Sequence, residues 1–267
     1  MSGTIGVFDS GVGGLSVLHH IRRLLPHEQL IYIADSGHVP YGDKSASFIE
    51  QRSLALTRFL VEQGADAIVV ACNTATAAAI TTLRQHYTLP IIGMEPAVKP
   101  AVAATQSGVV GVLATTGTLE SARFAALLER YAGEVEIITQ GCPGLVEQVE
   151  RGDLLSAQTR SLLERYTAPL LARGADTLIL GCTHYPFLAP LIGEVVGPNI
   201  TLVDTGEAVA RQLQHRLHTE LPQRIPSIAS VRFFTSGDVE HTTRIMSLLW
   251  GEMVVANTFY APVPGHP

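Results

Sequence analysis

The same short pattern occurs twice in this chain, and this repetition restricts the folds that the chain can adopt. The tripeptide Gly-Ala-Asp at 64–66 leads through an apolar run to Cys72, and the same tripeptide at 174–176 leads through an apolar run to Cys182. Each cysteine lies eight residues after its glycine, and a helix-like segment that begins with Arg-Ser-Leu precedes each copy. Self-similarity of this kind is typical of a repeated structural unit. The sequence therefore predicts two halves of related design.

Short runs of apolar and β-branched residues alternate with helical patterns along the chain. Two of the helical patterns span residues 47–64 and 159–174. Alternation of strands with helices is typical of parallel sheets that are covered by helices on both faces. Together with the repeat, it predicts an α/β fold of two pseudo-symmetric α/β domains with mainly parallel sheets. The predicted strands are residues 4–8, 30–34, 67–71, 90–93, 109–114, 136–139, 177–181, 200–204 and 231–235.

The composition excludes several classes of protein. Hydrophobic residues make up 46% of the 267 residues and charged residues 16%, which is the profile of a globular chain. Lys and Arg number 18 against 24 Asp and Glu, so the formal charge is −6 and no nucleic-acid surface is expected. We expect no membrane span and no signal peptide, because no apolar run is long enough and the opening MSGTIGVFDS enters a strand pattern at once. An odd count of three cysteines predicts reduced thiols in the cytoplasm.

Each repeated cysteine stands where a predicted strand ends, and polar residues follow it. The triplet at 72–74 is Cys-Asn-Thr, and the triplet at 182–184 is Cys-Thr-His. Ligands of parallel sheets bind outside the carboxyl ends of the strands, and the N–H groups at helix N-termini suit carboxylates. If the halves face each other about a pseudo-two-fold axis, the two thiols look at one another across a cleft. Two opposed thiols suit a reaction that removes a proton from one face of a carbon and returns one to the other.

Two other interpretations of these cysteines are open. A thiol at the end of a strand can simply be buried, because cysteine packs as a small hydrophobic residue. A disulfide pair is the second alternative, but Cys72 and Cys182 lack the CxxC spacing of thioredoxin-like redox pairs. His184 favours chemistry at the second thiol, since a neighbouring imidazole makes a thiolate available. Cys142 has no counterpart in the first half and is interpreted as structural.

The segment FDSGVGGLS at 8–16 also allows two interpretations. It could be a dinucleotide-binding loop with a partial GxGxxG pattern after a strand, and Asp35 would then stand in the place of a ribose-binding acid. The third glycine of that motif is missing, which weakens the alternative of a nucleotide-dependent oxidoreductase. We therefore interpret Asp9 and Ser10 as site residues, and the glycines as positions that let the backbone approach a small ligand.

Other polar residues carry weaker signals. His215 and His218 are one helical turn apart and could be half of a metal site, but no other ligand clusters with them, so a solvated helix face is the preferred interpretation. Tyr41 and Gly42 lie in an ordinary loop pattern. Glu150 is an exposed carboxylate unless the fold places it at the cleft.

Four motifs in this order resemble those of the glutamate racemases. They are FDSGVGGLS at 8–16, PYG at 40–42, ACNTA at 71–75 and GCTHYP at 181–186, and the resemblance covers essentially the whole chain. It implies a cofactor-independent isomerase that converts L-glutamate to D-glutamate for the peptidoglycan of bacterial cell walls. It also implies no metal, a small-molecule substrate, a cytoplasmic enzyme and a homodimer. Two of the motifs are shared with the wider aspartate/glutamate racemase superfamily, so a racemase for another amino acid, such as aspartate, is the alternative.

Carried over residue by residue, the resemblance makes Cys72 and Cys182 the two acid/base thiols. Asp9 would assist the first thiol and His184 the second. Glu150 matches a family glutamate on the helix after a Cys-Pro pair, although this chain reads CPGLVEQVE there and lacks the usual second proline. The residues that would contact the substrate are Asp9, Ser10, Tyr41, Gly42, Asn73, Thr74, Thr115, Thr118, Thr183 and His184.

The resemblance also implies a division into domains. Residues 1–97 together with 207–267 would form the first α/β domain, which carries the first thiol. Residues 98–206 would form the second α/β domain, which carries the second thiol. The active site would then lie in the cleft between the two domains.

Overall fold

Strands and helices alternate along the chain as the sequence predicts. The computed structural model describes residues 3–131, 133, 135–221 and 228–260. The strands are β1 (Thr4–Asp9), β2 (Gln29–Ala34), β3 (Ala67–Val70), β4 (Ile91–Ile92), β5 (Val109–Ala114), β6 (Glu136–Gly141), β7 (Thr177–Leu180), β8 (Thr201–Val203), β9 (Ser230–Thr235) and β10 (Ala256–Thr258). The α-helices are α1 (Leu15–Leu24), α2 (Ala46–Glu62), α3 (Asn73–His86), α4 (Val98–Ala104), α5 (Thr116–Leu119), α6 (Ala122–Glu129), α7 (Leu145–Glu150), α8 (Ala157–Ala172), α9 (Ala189–Val196), α10 (Gly206–Glu220) and α11 (Val239–Trp250). Short 3₁₀-helices occupy Tyr41–Asp43 and Tyr185–Leu188.

The described strands form two parallel sheets with the same internal order. The order is β10-β9-β2-β1-β3-β4 in the first sheet and β6-β5-β7-β8 in the second. The pairings between these neighbouring strands are parallel. The run β2-β1-β3-β4 is therefore repeated as β6-β5-β7-β8, which confirms the α/β fold of two related halves. Strands β3 and β7, which lead to Cys72 and Cys182, hold equivalent places.

The burial of β1 explains the apolar run at its centre, residues 5–8. Every residue of β1 is buried. Ile5 and Val7 belong to one core cluster, while Phe8 belongs to a second cluster that includes Leu56 and Leu60 of α2. Helices cover both faces of such a strand, so neither face needs polar side chains. The continuous apolar run is what a central strand of a parallel sheet requires.

Two glycines make the matching turns of the repeat. Gly64 lies in the turn that follows α2 and has a φ of 91°. Gly174 lies in the turn that follows α8 and has a φ of 85°. Both values lie in the left-handed region, where glycine pays no steric penalty for a side chain. The Gly-Ala-Asp pattern is thus the helix-to-strand turn of each half.

The end of the described chain adds to the first sheet. Strand β9 pairs with β2 along its length, and β10 pairs with β9 after the chain returns through α11. Strand β10 is not predicted from the sequence, because three residues are too few to show a period. The proposed domain bounds, 1–97 plus 207–267 and 98–206, include residues outside the described ranges and stay a prediction. No helix in the described ranges is long and apolar enough to cross a membrane.

Candidate active site

The two repeated cysteines lie at equivalent strand ends, one on each sheet. Cys72 follows β3 and caps α3, where its Sγ accepts a hydrogen bond from the Ala75 N–H at 3.4 Å. Cys182 follows β7 after one intervening residue, Gly181. Both residues are buried, with 5% and 6% of their surface exposed, and both are free thiols. Two free thiols are therefore held at the carboxyl edges of the sheets, where parallel sheets bind ligands.

Cys72 shares its surroundings with the polar residues that end β1. The Cys72 thiol donates to Ser10 Oγ at 3.8 Å, and the Ser10 hydroxyl donates to Asp9 Oδ1 at 3.4 Å. Burial and the charge of Asp9 raise the pKa of the Cys72 thiol well above its ordinary value. Burial also raises the pKa of Asp9, although His184 and the Gly14 N–H at 2.7 Å oppose the change. Cys72 is therefore held as a protonated thiol, which is a potential proton donor.

Three side chains form a hydrogen-bonded row at the second thiol. His184 Nδ1 lies 3.6 Å from Cys182 Sγ, and His184 Nε2 lies 2.7 Å from Glu150 Oε1. A carboxylate can only accept, so Nε2 donates to Glu150 and Nδ1 faces the thiol. Burial lowers the pKa of His184, but hydrogen bonds to Cys182 and Glu150 and their charges outweigh it and raise this pKa well above its ordinary value. The row can therefore take up a thiol proton and stabilise the imidazolium that results.

The glycine-rich loop after β1 lies directly against this row. An added Cβ at Gly11 would come within 1.9 Å of Glu150 Oε1, and one at Gly13 would come within 2.3 Å of His184 Nδ1. Between them, the Val12 N–H donates to Glu150 Oε1 at 2.7 Å. The glycines are required because side chains of the second half occupy the space above the loop. This contact brings Glu150 to the cleft, where its side chain is only 13% exposed.

Hydrogen bonds also join the strand end of Cys182 to the first half. The Thr183 hydroxyl donates to Asp9 Oδ2 at 3.3 Å. Ser16 Oγ lies 2.9 Å from the Thr183 backbone carbonyl and 2.9 Å from the Gly13 carbonyl. Ser16 is not among the predicted site residues, although it is the last residue of the FDSGVGGLS motif. Because Ser16 belongs to that motif, the motif could have suggested that Ser16 lies at the cleft.

Three threonine hydroxyls meet across the two halves. Thr74 Oγ1 lies 2.9 Å from Thr115 Oγ1 and 3.1 Å from Thr118 Oγ1, and the last two hydroxyls are 3.0 Å apart. The same turn of the second half contacts the PYG loop, since an added Cβ at Gly117 would come within 2.9 Å of the Gly42 carbonyl oxygen. Thr74, Thr115, Thr118 and Gly42 thus lie in one cluster.

The hydroxyl of Tyr41 binds a buried carboxylate and not the threonine cluster. Tyr41 Oη donates to Asp35 Oδ2 at 2.5 Å, Arg52 binds both oxygens of Asp35, and Ser236 Oγ donates to Asp35 Oδ1 at 2.6 Å. Asp35 is fully buried and therefore unavailable to a ribose. This arrangement removes the support for a dinucleotide loop. The sequence gives no sign that Arg52 and Ser236, far apart in the chain, share one partner.

Asn73 carries polar atoms that the described residues leave without a partner. The residue is 4% exposed, and neither its Oδ1 nor its Nδ2 has a hydrogen-bond partner in the described part of the protein. Buried polar groups in native proteins are nearly always hydrogen-bonded. Asn73 is the first residue of α3, next to Cys72, so its amide is available to a ligand at the cleft.

The remaining predicted positions are simple to place. Cys142 is 2% exposed, its thiol donates to the Gln140 carbonyl at 3.3 Å, and burial raises its pKa to about 12. These features agree with a structural role. His215 and His218 are exposed on α10. Within the described ranges, no cluster of three or more His, Cys, Asp or Glu side chains could hold a metal ion.

Comparison with known proteins gives consistent matches. A family model described as Asp/Glu/Hydantoin racemase matches residues 5–213. The chain is 60% identical to the glutamate racemase of Ectopseudomonas mendocina over 96% of this chain and 97% of that protein. A glutamate racemase isoform from Bacillus anthracis superposes with a TM-score of 0.89 at 33% identity, covering 98% of each chain. Escherichia coli glutamate racemase, solved with L-glutamate and an activator, superposes with a TM-score of 0.88 at 33% identity, covering 98% of this chain and 100% of that one.

Proposed function

Because the chain belongs to the Asp/Glu/hydantoin racemase family, and within it to the glutamate racemases, it is an isomerase, and we propose that it interconverts L- and D-glutamate with two bases. The proposed bases are Cys72 and Cys182, and the D-glutamate formed would serve peptidoglycan synthesis. The Escherichia coli relative solved with L-glutamate supports this substrate. The observation that carries the two-base proposal is the pair of free, buried thiols at equivalent strand ends.

Cys182 is the proposed base for L-glutamate. Its proton passes to His184 Nδ1, which lies 3.6 Å away, and the Glu150 carboxylate next to Nε2 stabilises the imidazolium. The thiolate then takes the α-proton, so an S–H bond forms and the electron pair of the broken C–H bond stays on the α-carbon.

Cys72 is the proposed acid at the opposite face of that carbon. Its high pKa keeps the proton on sulfur until the carbanion-like state forms. The S–H bond then breaks, a new C–H bond forms, and the electron pair stays on sulfur. The Ala75 N–H at the N-terminus of α3 stabilises the thiolate. For D-glutamate the two cysteines exchange roles: the Cys72 proton passes through the Ser10 hydroxyl to the Asp9 carboxylate, the Cys72 thiolate takes the α-proton, and the Cys182 S–H bond breaks as Cys182 donates its proton to the opposite face.

The α-proton of an amino acid is only feebly acidic, so the site must stabilise the charge that develops when it leaves. We propose that hydrogen-bond donors fixed around the substrate carboxylates do this without a cofactor. The side chains of Ser10, Asn73, Thr74 and Thr183 are the candidates. Asn73 is the best supported of them, because its amide has no partner in the described residues. Thr115, Thr118, Gly42 and the backbone of Tyr41 would border the other end of the substrate.

The proposed chemistry has consequences for location and assembly. Both thiols must be free, so we place the enzyme in the cytoplasm, where thiols stay reduced. The proposed domains, 1–97 plus 207–267 and 98–206, would hold the substrate in the cleft between them. The proposed assembly is a homodimer, for which sedimentation of the purified protein is the direct measurement.

We expect the purified protein to abolish the circular-dichroism signal of L-glutamate in buffer with EDTA and no added cofactor. The signal should fall to zero, because a racemic mixture is the equilibrium state. L-Aspartate under the same conditions should keep its signal. Loss of the aspartate signal instead would support the alternative racemase, and activity that needs added metal or pyridoxal phosphate would contradict the cofactor-free proposal.

Replacing Glu150 with glutamine should shift the pH dependence of racemisation. The neutral amide no longer stabilises the imidazolium, so His184 loses its proton at a lower pH. We expect the alkaline limb of the kcat/KM profile to move down by about one pH unit or more.

The same variant should also change the pH dependence of stability. Because the pKa of His184 is raised in the folded protein, protonated His184 contributes stability that is full below the unfolded value of about 6.5. This contribution is lost as the pH rises through the folded value. The variant should lose that contribution, so its Tm deficit should be largest at acid pH.

Glu164→Gln, an exposed change of the same kind on α8, is the matched control and should leave both profiles unchanged. An unshifted alkaline limb in Glu150→Gln would argue against the proposed role of Glu150.

A further inference from the structure

Helix α11, near the end of the described chain, packs against the turn that carries Glu150. His241 Nε2 lies 3.0 Å from the backbone carbonyl oxygen of Glu150. We infer that His241 is a positioning residue for Glu150, and through it for the His184–Cys182 pair. The inference rests on the proposed function, since it concerns one of the two proposed bases.

The hydrogen bonds of His241 define which of its nitrogens carries the proton. Arg244 Nη2 lies 2.9 Å from His241 Nδ1, and a guanidinium can only donate. Nδ1 is therefore the acceptor and Nε2 carries the hydrogen that goes to the Glu150 carbonyl. That carbonyl is one of the last in α7, and the final carbonyls of a helix have no partner within it. His241 supplies the missing donor.

Packing along α11 fixes the distance between the two helices. An added Cβ at Gly152 would come within 3.0 Å of Ile245 Cδ1 and 3.1 Å of Leu248 Cδ2. His241, Ile245 and Leu248 are spaced i, i+4 and i+7, so they share one face of the helix. The start of α11 is itself fixed, because Asp238 accepts the His241 N–H at 2.6 Å. His241 therefore reaches the Glu150 carbonyl from a rigid position.

The Glu150 carboxylate has little freedom of its own. Helix α7 has six residues, too few to be stable without tertiary contacts. The contacts around Glu150 come from the Val12 N–H at 2.7 Å, His184 Nε2 at 2.7 Å and, more weakly, Ser36 Oγ at 3.5 Å. Each of these contacts binds the end of the side chain. His241 instead binds the backbone of Glu150, at its carbonyl oxygen.

The proposed position of His241 predicts an effect on one proton transfer only. L- and D-glutamate are equally stable, so kcat/KM must stay equal in the two directions, whichever residue is changed. Kinetic isotope effects have no such constraint. If the transfer at Cys182 becomes slower, the isotope effect with α-deuterated L-glutamate should rise, because Cys182 removes that deuteron. The isotope effect with α-deuterated D-glutamate should fall, because its deuteron goes to Cys72.

The test compares four variants of the full chain. His241→Leu removes the donor, and we expect kcat/KM to fall about tenfold, because small displacements of catalytic groups are costly. The ratio of the L- to the D-isotope effect should rise together with this fall. His241→Gln keeps an N–H donor near the position of Nε2 and should restore most of the activity and the isotope-effect ratio. Glu150→Gln is the reference for a direct change in the Cys182–His184–Glu150 row. His215→Leu, at an exposed position of α10, is the control for replacing a histidine with leucine.

The outcomes separate the inference from the function on which it rests. A folded His241→Leu variant with unchanged kcat/KM, or with a loss but an unchanged isotope-effect ratio, would overturn the positioning role. Failure of His241→Gln to restore the ratio would also overturn it. If Glu150→Gln is fully active and its ratio is unchanged, the proposed row itself is wrong and the role of His241 falls with it. If Glu150→Gln shifts the ratio and His241→Leu does not, the row stands and only the inference fails.

Discussion

Replacing either Cys72 or Cys182 with alanine should abolish racemisation in both directions and leave the protein folded. In the proposed mechanism each turnover uses one thiol to remove a proton and the other to donate one, so the loss of either group should stop both reactions. General acid–base groups contribute about 10²–10⁴-fold each, and we expect a loss in the upper part of that range. The fold should survive, because each change removes one sulfur atom from a buried site. Cys72→Ala also removes the cap of α3, a loss of about 1 kcal/mol.

The matched control is Cys142→Ala. Cys142 is as buried as the two proposed bases, but its thiol donates to the Gln140 carbonyl and has no proposed chemistry. This variant should keep substantial activity. Racemisation rates from both enantiomers, together with thermal unfolding of each variant, check the prediction. An active Cys72→Ala or Cys182→Ala enzyme would refute the two-base mechanism, and a folded but inactive Cys142→Ala enzyme would show that the roles of the three cysteines are divided wrongly.

Racemisation in D₂O should place deuterium in the product before any appears in the substrate. Each thiol carries a single proton that exchanges with solvent before the substrate binds. In the proposed mechanism the donor thiol is therefore deuterated, whereas the base holds the proton that it has removed. At early conversion, newly formed D-glutamate should carry deuterium at the α-carbon, and the remaining L-glutamate should be almost unlabelled. The same asymmetry should hold when the reaction starts from D-glutamate.

Mass spectrometry of the separated enantiomers measures this directly. A single base that served both faces would return some of the original proton to the product and could wash label into the substrate. Substantial unlabelled product, or label in the starting enantiomer at early conversion, would mean that Cys72 and Cys182 do not act as opposed bases. The experiment is independent of the alanine variants, because it uses the unaltered enzyme.

The repeat in the sequence predicted the symmetry of the fold correctly. Gly-Ala-Asp, an apolar strand and a cysteine recur because each half needs the same helix-to-strand turn and the same buried central strand. These features are local, so they are visible in the spacing of residues along the chain. The edge strand β10 is short and pairs only after α11 has brought the chain back to the sheet, and its three residues carry no periodic signal.

Some residues of the site could be predicted from the sequence and others could not. Cys182 and His184 are two residues apart at one strand end, so their contact could be expected from local geometry. Glu150 is 34 residues from His184 in the chain, and only the resemblance to the racemases suggested it. Tyr41 was expected in the site through the PYG motif, but its hydroxyl is turned to Asp35. The catalytic and binding roles of all these residues stay predictions until they are measured.

The sequence alone determined the α/β class, the two related halves and the strand ends at which the two thiols stand. Hydrophobic periodicity and turn residues act over a few positions, and the repeat doubles their signal. Only the tertiary structure decided which side chains meet across the halves. Glu150 becomes a partner of His184 because Gly11 leaves room for it and the Val12 N–H binds it. Such contacts depend on how two separately patterned halves pack together, and no local spacing in the chain encodes the distance between them.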